Sequence, residues 1–505
     1  MKEHKSKVGK NLISMLMFQM YGDSKLIYRE YVQNSRDAIN EAVNSGVLSK
    51  ITEGRISITI NKAEKIITIE DNGTGVSINN VEAELLDIAD SSKDGETSAG
   101  QFGIGRLVGG YFCRKLSFKT SYQGEDVSSE IVYDIDKIKQ ILDDEKDHST
   151  ATEVIDKTTE LNLYEEDASK HYFIVTLEDV HPDYPELLDE TIISEYLKEV
   201  APIDYSMPFK NQLISTSVHD EYIDLQKDVS YFQISINGST SIKKRYGLRI
   251  DGTGDEILGL EYFKLNDSQF GLLAWGWYAV TPFTKSIPVS DKNSCFRLRK
   301  HNIQVGDASF LTPFFPKSEI RGNKYFYGEI HVVNPKIKLN SARDGLAPKP
   351  ESERLKSLIR DKFDELVKLY HLANDMKNLV KDADASSEPS KTDEQKISIK
   401  KKIEQKEKSK NAQSSAAKQV IEHYKQKVNV STKDVTTPTS HTSPIASDPS
   451  IPAVVTDPFD SLKDKMTASD LKLIKRIFEL FTNNCPQKHL ELIEELKKKV
   501  IKDLE

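Results

Sequence analysis

Arg29-Glu30-Tyr31-Val32-Gln33-Asn34-Ser35-Arg36-Asp37-Ala38 is the stretch whose reading decides the rest of the chain. Glu30, Asn34 and Asp37 fall at i, i+4 and i+7, so a helix stacks a carboxylate, an amide and a second carboxylate on one face. Leu26, Ile27, Val32, Ala38, Ile39 and Ala42 give the same helix apolar surface to bury. Two readings follow: a chemical site built on one helix, or an ordinary amphipathic helix with polar spokes.

Downstream, residues 55–60 and 65–70 alternate β-branched and polar side chains around a turn at 61–64, the pattern of a hairpin with one buried face. Its second strand runs into Asp71-Asn72-Gly73-Thr74-Gly75-Val76. Two glycines in three residues let backbone approach a neighbour closely, and Asp71 stands at the strand end, where loops grip ligands. Next comes Gly100-Gln101-Phe102-Gly103-Ile104-Gly105-Arg106-Leu107. A glycine-rich loop opening a helix offers free N–H groups and a positive dipole end, which suits a phosphate; a structural turn is the plain alternative. The chain has no G-x-x-x-x-G-K-[ST] run, and Val108 stands where a dinucleotide fingerprint needs its third glycine.

Further strands are expected at 115–120, 127–134 and 172–177, and the polar stretch 143–166 has no assignable period. A composition shift at 181–185 and a helix over 187–200 lead to a second α/β region, with strand-like runs at 231–236, 247–250, 272–280 and 326–333. The basic run Phe296-Arg297-Leu298-Arg299-Lys300-His301 reads as a solvated strand edge protected by charge, with a nucleic-acid contact as the alternative. Residues 391–427 are Lys/Glu/Gln-rich and read as a solvated helix or disorder, and 428–458 as a Ser/Thr/Pro-rich linker. A closing helical pair, too small for its own core, is expected to pack on a partner or a second copy.

At 505 residues the chain exceeds one core, and 37% hydrophobic with 30% charged residues describes a globular protein with some polar tracts. The net charge of −9 gives no global pull toward nucleic acid or anionic lipid. Three scattered cysteines make no metal cluster and fit a reducing, cytoplasmic setting. The short apolar run 12–20, broken by Ser14 and Gln19, reads as a core helix, so no membrane association is expected.

Arg29–Ala38, Asp71–Val76 and Gly100–Leu107, in that order, resemble the three nucleotide-binding boxes of the GHKL ATPases: gyrase B subunits, ninety-kilodalton heat-shock chaperones, sensor histidine kinases and MutL proteins. The R-E-x-x-x-N-x-x-D-A spacing and the Gly100–Gly105 run resemble the chaperone branch, and Ser91-Ser92-Lys93 the MutL and MORC-type loop. Leu339-Asn340-Ser341-Ala342-Arg343-Asp344 is similar to the chaperone segment that delivers an arginine to the γ-phosphate.

The resemblance implies an α+β architecture. It has a Bergerat-type sandwich binding ATP at 1–185 and an α/β transducer at 186–350. A closing helix at 351–380, a linker at 381–460 and the helical pair at 461–505 follow. It implies ATP and magnesium as ligands. Glu30 would activate water, Asn34 would hold Mg²⁺ through its amide oxygen, and Asp37 would support that shell or contact the nucleotide. Asp71 would accept from the adenine amino group beside Gly73 and Gly75. Lys93, Gln101, Phe102, Gly103, Ile104 and Gly105 would hold the phosphates, and Arg343 would complete the site from the second domain. One departure is visible: Lys170-His171 stands where the family carries a Gly-Thr pair that binds adenine through water.

The order of domains and the absence of endonuclease or cleavage motifs favour an ATP-gated clamp or chaperone-like switch, homodimeric, acting on an unidentified protein client or effector. The alternatives are a nucleotide-gated sensor module controlling an effector, for example in genome defence, and a MORC-like DNA clamp.

Overall fold

Isoleucines at every second position set the first layer. In β1 (Arg55–Asn61), Ile56, Ile58 and Ile60 are buried while Arg55, Ser57 and Thr59 face water. β2 (Ile66–Asp71) pairs with it antiparallel, and its inward row runs through Ile67 and Ile69 to Asp71. β3 (Lys115–Ser121), β4 (Val127–Asp134), β5 (Thr159–Glu165), β6 (Tyr172–Glu178) and β7 (Gln233–Ile236) complete a sheet of seven strands in the order β5-β4-β3-β6-β2-β1-β7. Every pairing is antiparallel except β1 with β7.

One face of this sheet is covered by helices, the arrangement that half-buried antiparallel strands demand. These are α1 (Asn11–Phe18), α2 (Leu26–Asn44), α3 (Val81–Leu85), α4 (Ile135–Asp143), α5 (Ala151–Thr158) and α6 (Glu190–Val200), with a 3-10 helix at Gly105–Phe112. Ile27, Tyr31 and Ile39 of α2, Leu107 of the 3-10 helix and Leu197 of α6 share one continuous core with the inward isoleucines. This is the α+β class expected from the sequence.

The described residues are 8–18, 23–87, 105–216, 220–227, 229–288, 290–340, 344–385, 393–431 and 497 of a computed structural model. The chain divides into two compact units, Met1–Thr436 and Thr437–Glu505. The helical pair expected at 461–505 lies outside the described residues except for position 497.

Within the first unit a second sheet follows α7 (Met207–Thr216) and α8 (Asp220–Lys227). Its strands are β8 (Gly259–Asp267), β9 (Gly271–Val280), β10 (Cys295–Lys300), β11 (Ile303–Val305) and β12 (Tyr327–Val332), in the order β11-β10-β12-β9-β8. One side packs on α9 (Pro350–Ala385), α10 (Asp393–Glu407) and α11 (Ser415–Ser431). The other packs on α7 through Trp275, Trp277 and Tyr246. No described helix is long and apolar enough to cross a membrane.

Four expectations change. Residues 233–236, read with the second domain, add β7 to the first sheet, because its parallel register sets Ile234 beside Ile56 and Ile236 beside Ile58. The unassigned 143–166 stretch forms α5 and β5. Thr150 Oγ1 accepts from Glu153 N at 3.3 Å while Thr150 N donates to Glu153 Oε2 at 2.8 Å, a reciprocal cap that starts α5.

The basic run at 296–301 is no solvated edge: β10 lies between β11 and β12, and all six of its residues are buried. Residues 393–407 and 415–431 are helical, one of the two readings of 391–427, but they are not merely solvated, because their few apolar residues are in phase. Ile399 and Ile403 at i and i+4, then Ala417, Val420, Ile421, Tyr424 and Val428 at i, i+3, i+4, i+7 and i+11, join the core of the second sheet.

Candidate functional site

Glu30 is fully enclosed, Asp37 is 8% exposed, and Asn34 between them is half-buried. The middle of α2 is buried on nearly every side, so Arg29, Glu30, Gln33, Arg36 and Asp37 are all held away from water. Charged side chains are rarely buried unless paired, and here Arg36 Nη1 donates to Asp37 Oδ1 at 2.6 Å.

Asp71 approaches the same helix from the sheet. It closes the inward row of β2, is 3% exposed, and its Oδ1 accepts from Gly73 N at 2.9 Å. The turn that follows lies directly on α2, with Thr74 N donating to Ala38 O at 3.3 Å. A Cβ on Gly73 would stand 2.6 Å from Ala38 Cβ. Gly75, at φ +67°, would put a Cβ 1.9 Å from Ser121 O. Both glycines are thus demanded by the seating of the turn between α2 and β3.

His171 shares a 2.9 Å hydrogen bond through Nδ1 with Gly73 O, and Val76 N donates to Thr120 Oγ1 at 2.8 Å. His171 therefore holds the Asp71–Gly75 turn in place.

Gly105 begins the 3-10 helix, which α2 holds through one hydroxyl. Tyr31 Oη donates to Arg106 O at 2.9 Å and accepts from Gly109 N at 3.0 Å. α2 is thus the common wall that meets the Asp71 turn at Ala38 and the start of the 3-10 helix at Tyr31. Lys93, Gln101, Phe102, Gly103, Ile104 and Arg343 lie outside the described residues. The backbone on either side of 341–343 forms a hairpin: Asn340 N donates to Gly345 O at 3.0 Å and Ala347 N to Lys338 O at 2.8 Å.

A second set of buried charges carried no signal in the sequence beyond its basic run. Glu329 of β12 is fully buried and accepts from Arg299 Nε, from Tyr205 Oη and from Lys244 Nζ, the last at 2.9 Å. Burial alone would raise the Glu329 carboxyl, but Arg299 and Lys244 outweigh it and hold the group well below the carboxylate range. Burial, then the neighbouring Arg299 charge, lowers Lys244 to about 7 against the opposing pull of Glu329.

This knot reaches the first layer through α6. Arg299 Nη2 donates to Glu199 O at 2.9 Å, Arg297 Nη2 stands 3.5 Å from Glu199 Oε1, and Arg245 Nε pairs with Glu195 Oε2 at 3.0 Å. α6 in turn packs on α2. Its Tyr196 hydroxyl, raised by burial, lies within electrostatic reach of Arg29 and Glu30. Among the described residues no cluster of three His, Cys, Asp or Glu could hold a metal by itself.

Residues 25–166 match the family model described as histidine kinase-, DNA gyrase B-, and HSP90-like ATPase. Over 140 residues the chain is 29% identical to "Chaperone protein HtpG" of Halalkalibacterium halodurans, covering 25% of this chain and 22% of that protein. Over 135 residues it is 31% identical to "Chaperone protein HtpG" of Francisella tularensis subsp. novicida, covering 23% and 21%. A protein of the same name from Geobacter metallireducens is 28% identical over 133 residues, covering 23% and 20%. The chain spans about a fifth of the length of these curated relatives.

Proposed function

Residues 25–166 belong to the histidine kinase-, DNA gyrase B- and HSP90-like ATPases, and from this we propose that the chain binds ATP on α2, hydrolyses it slowly and works as an ATP-gated, chaperone-like switch. The observation that carries the reading is the fully buried Glu30 on one helix face with Asn34 and Asp37, against a turn bearing the buried Asp71. An enclosed carboxylate at a phosphate site has one economical use, to orient and deprotonate an attacking water.

In this reading Asp71 accepts a hydrogen bond from the adenine amino group, which a guanine cannot offer at that position. Gly73 and Gly75 keep the turn flat against α2, so that the base has a fixed wall. His171, hydrogen-bonded to Gly73 O, stabilises that wall in place of the family's Gly-Thr pair. Glu30 holds the water and takes its proton. Lys93, the backbone of Gln101, Phe102, Gly103, Ile104 and Gly105, and Arg343 from the second domain are assigned to the phosphates.

A hard cation accompanying a nucleotide keeps several waters and needs few protein ligands, and the residues here suit it: one amide oxygen on Asn34 with two carboxylates on the same face. Bound there, Mg²⁺ would neutralise phosphate charge. Domain closure, dimer formation and an unidentified protein client complete the proposal.

The test is steady-state phosphate release and nucleotide binding by wild type and Glu30→Ala. The variant is expected to keep ATP affinity while turnover falls about 100-fold or more. Turnover unchanged by Glu30→Ala would overturn the mechanism. Absence of ATP binding by wild type would overturn the function.

A further inference from the structure

The second sheet meets the first layer at a seam closed by charge. Glu329 of β12, Arg299 of β10 and Lys244 are each at most 2% exposed. Lys244 Nζ lies 2.9 Å from Glu329 Oε2, 3.1 Å from Glu329 Oε1 and 2.8 Å from Asn302 Oδ1. It also stands 4.4 Å from the centroid of the Tyr205 ring. Arg299 donates through Nε to Glu329 and through Nη1 to Asn302 O, the latter at 3.1 Å.

Two pieces of the first layer are tied to this group. Arg299 Nη2 donates to Glu199 O near the end of α6 at 2.9 Å. Asn302 Nδ2 donates at 3.0 Å to Ser230 O, just ahead of β7, the strand that pairs with β1. Asn302 holds this place at φ +62° in the β10–β11 turn, a left-handed conformation that its short polar side chain tolerates.

One enclosed carboxylate therefore faces two enclosed cations. Arg299 keeps its proton at any ordinary pH, so the surplus falls on Lys244. No neighbouring element supplies the missing counter-charge. Asp204, whose carbonyl receives Lys244 N, pairs with Lys210 of α7 at 2.6 Å, and Glu199 of α6 faces Arg297. His331 of β12, 3.2 Å from Glu329 Oε2 and stacked on Trp275, is held below the imidazole range by burial. Tyr205, Tyr231 and Tyr246 are pushed above the phenol range by burial and stay neutral. Without its proton Lys244 retains two N–H bonds, enough for Glu329 and Asn302, and the group is balanced. With it, one uncompensated positive charge sits beyond the reach of water.

We propose that Lys244, Glu329, Arg299 and Asn302 form a pH-responsive clamp between the layers. With Lys244 neutral the second sheet holds α6 and β7 firmly; protonation of Lys244 loosens that hold.

An opened seam returns Lys244 to water, where its amine titrates at about 10.4. Burial, then Arg299, places it at about 7 in the closed form. The closed form thus binds fewer protons than the open one across that window, and closure strengthens as pH rises through it. Below about pH 7 the loss is complete. Glu329, held well below the carboxylate range, keeps its charge throughout.

Hydrogen exchange of the full chain, read by mass spectrometry at about pH 7, 8 and 9 and corrected for intrinsic rates, measures the opening. In wild type the opening constant for peptides from α6 and β7 should fall by up to about tenfold per pH unit, the effect of one proton. Peptides from β3 and β4 should keep theirs. Lys244→Met removes the titrating group, and Lys244→Gln keeps a hydrogen-bonding head without the charge; in both, seam opening should not vary with pH. A flat wild-type profile at α6 and β7 overturns the inference whether or not the variants fold. So does a profile that wild type shares with either folded variant. Because no nucleotide enters the measurement, its outcome is independent of the ATP reading.

Discussion

At the scale of single residues, what surrounds a side chain outweighs its type. Gly75 and Gly124 both have positive φ, but a Cβ on Gly75 would collide with Ser121 O at 1.9 Å, whereas one on Gly124 meets nothing within 4 Å. Gly124→Ala is therefore expected to cost only the left-handed penalty, about 1 kcal/mol. Gly75→Ala must also displace backbone and should cost well beyond that, read as the shift in urea midpoint.

Glu329 is a second case. Replacing it by Gln leaves Arg299 and Lys244 buried without their counter-charge, and a loss of roughly 3–5 kcal/mol is expected. Because the folded carboxyl lies below its unfolded value of about 4.3, its contribution is complete above that pH and vanishes as pH falls through the depressed value. The stability gap between wild type and Glu329→Gln should accordingly narrow in acid, as urea unfolding across pH would record. Helical spacing set Glu30, Asn34 and Asp37 on one face, and the ordered motifs downstream pointed to a site there. The sequence hid Glu329 and Lys244, whose partners come from elements distant in the chain.

Elements obey phase before composition. Residues 391–427 hold few apolar side chains, which reads as solvation when they are counted. Placed on helices they line a single stripe, and Val420, Ile421 and Tyr424 are buried against the second sheet. Ending the chain at 385 should expose that core; a lower melting temperature and dye binding to apolar surface are expected, with the first layer still folded.

α5 makes the complementary point, since its Thr150–Glu153 cap was present in the sequence and went unread amid polar neighbours. Thr150→Ala should cost about 1 kcal/mol in chemical denaturation. The basic strand β10 misled for a different reason. Charge argues for an edge only when the strand is an edge, and pairing on both sides settles that from outside the strand.

In the whole molecule, α6 is the piece shared by both layers of the first unit. It packs on α2 and is gripped by Arg245, Arg297 and Arg299 through Glu195 and Glu199. If ATP turnover requires the second layer to be held against α2, replacing Glu195 and Glu199 together by Ala should lower kcat while ADP affinity stays close to wild type. Comparing turnover with calorimetric binding checks this; a parallel loss of both would indicate damage to the α2 site itself.

By itself, the sequence determined what is local. Helical spacing put Glu30, Asn34 and Asp37 on one face, alternation set the β1–β2 hairpin, and ordered glycine-bearing boxes pointed to an ATPase relative. Only the tertiary structure decided that β7 joins β1, that β10 lies inside its sheet, and that Glu329 meets Arg299 and Lys244. Periodicity is written in neighbouring residues. Which edge a strand joins, and which distant charge neutralises a buried one, is fixed by contacts far apart along the chain, whose free energy exists only once both layers are assembled.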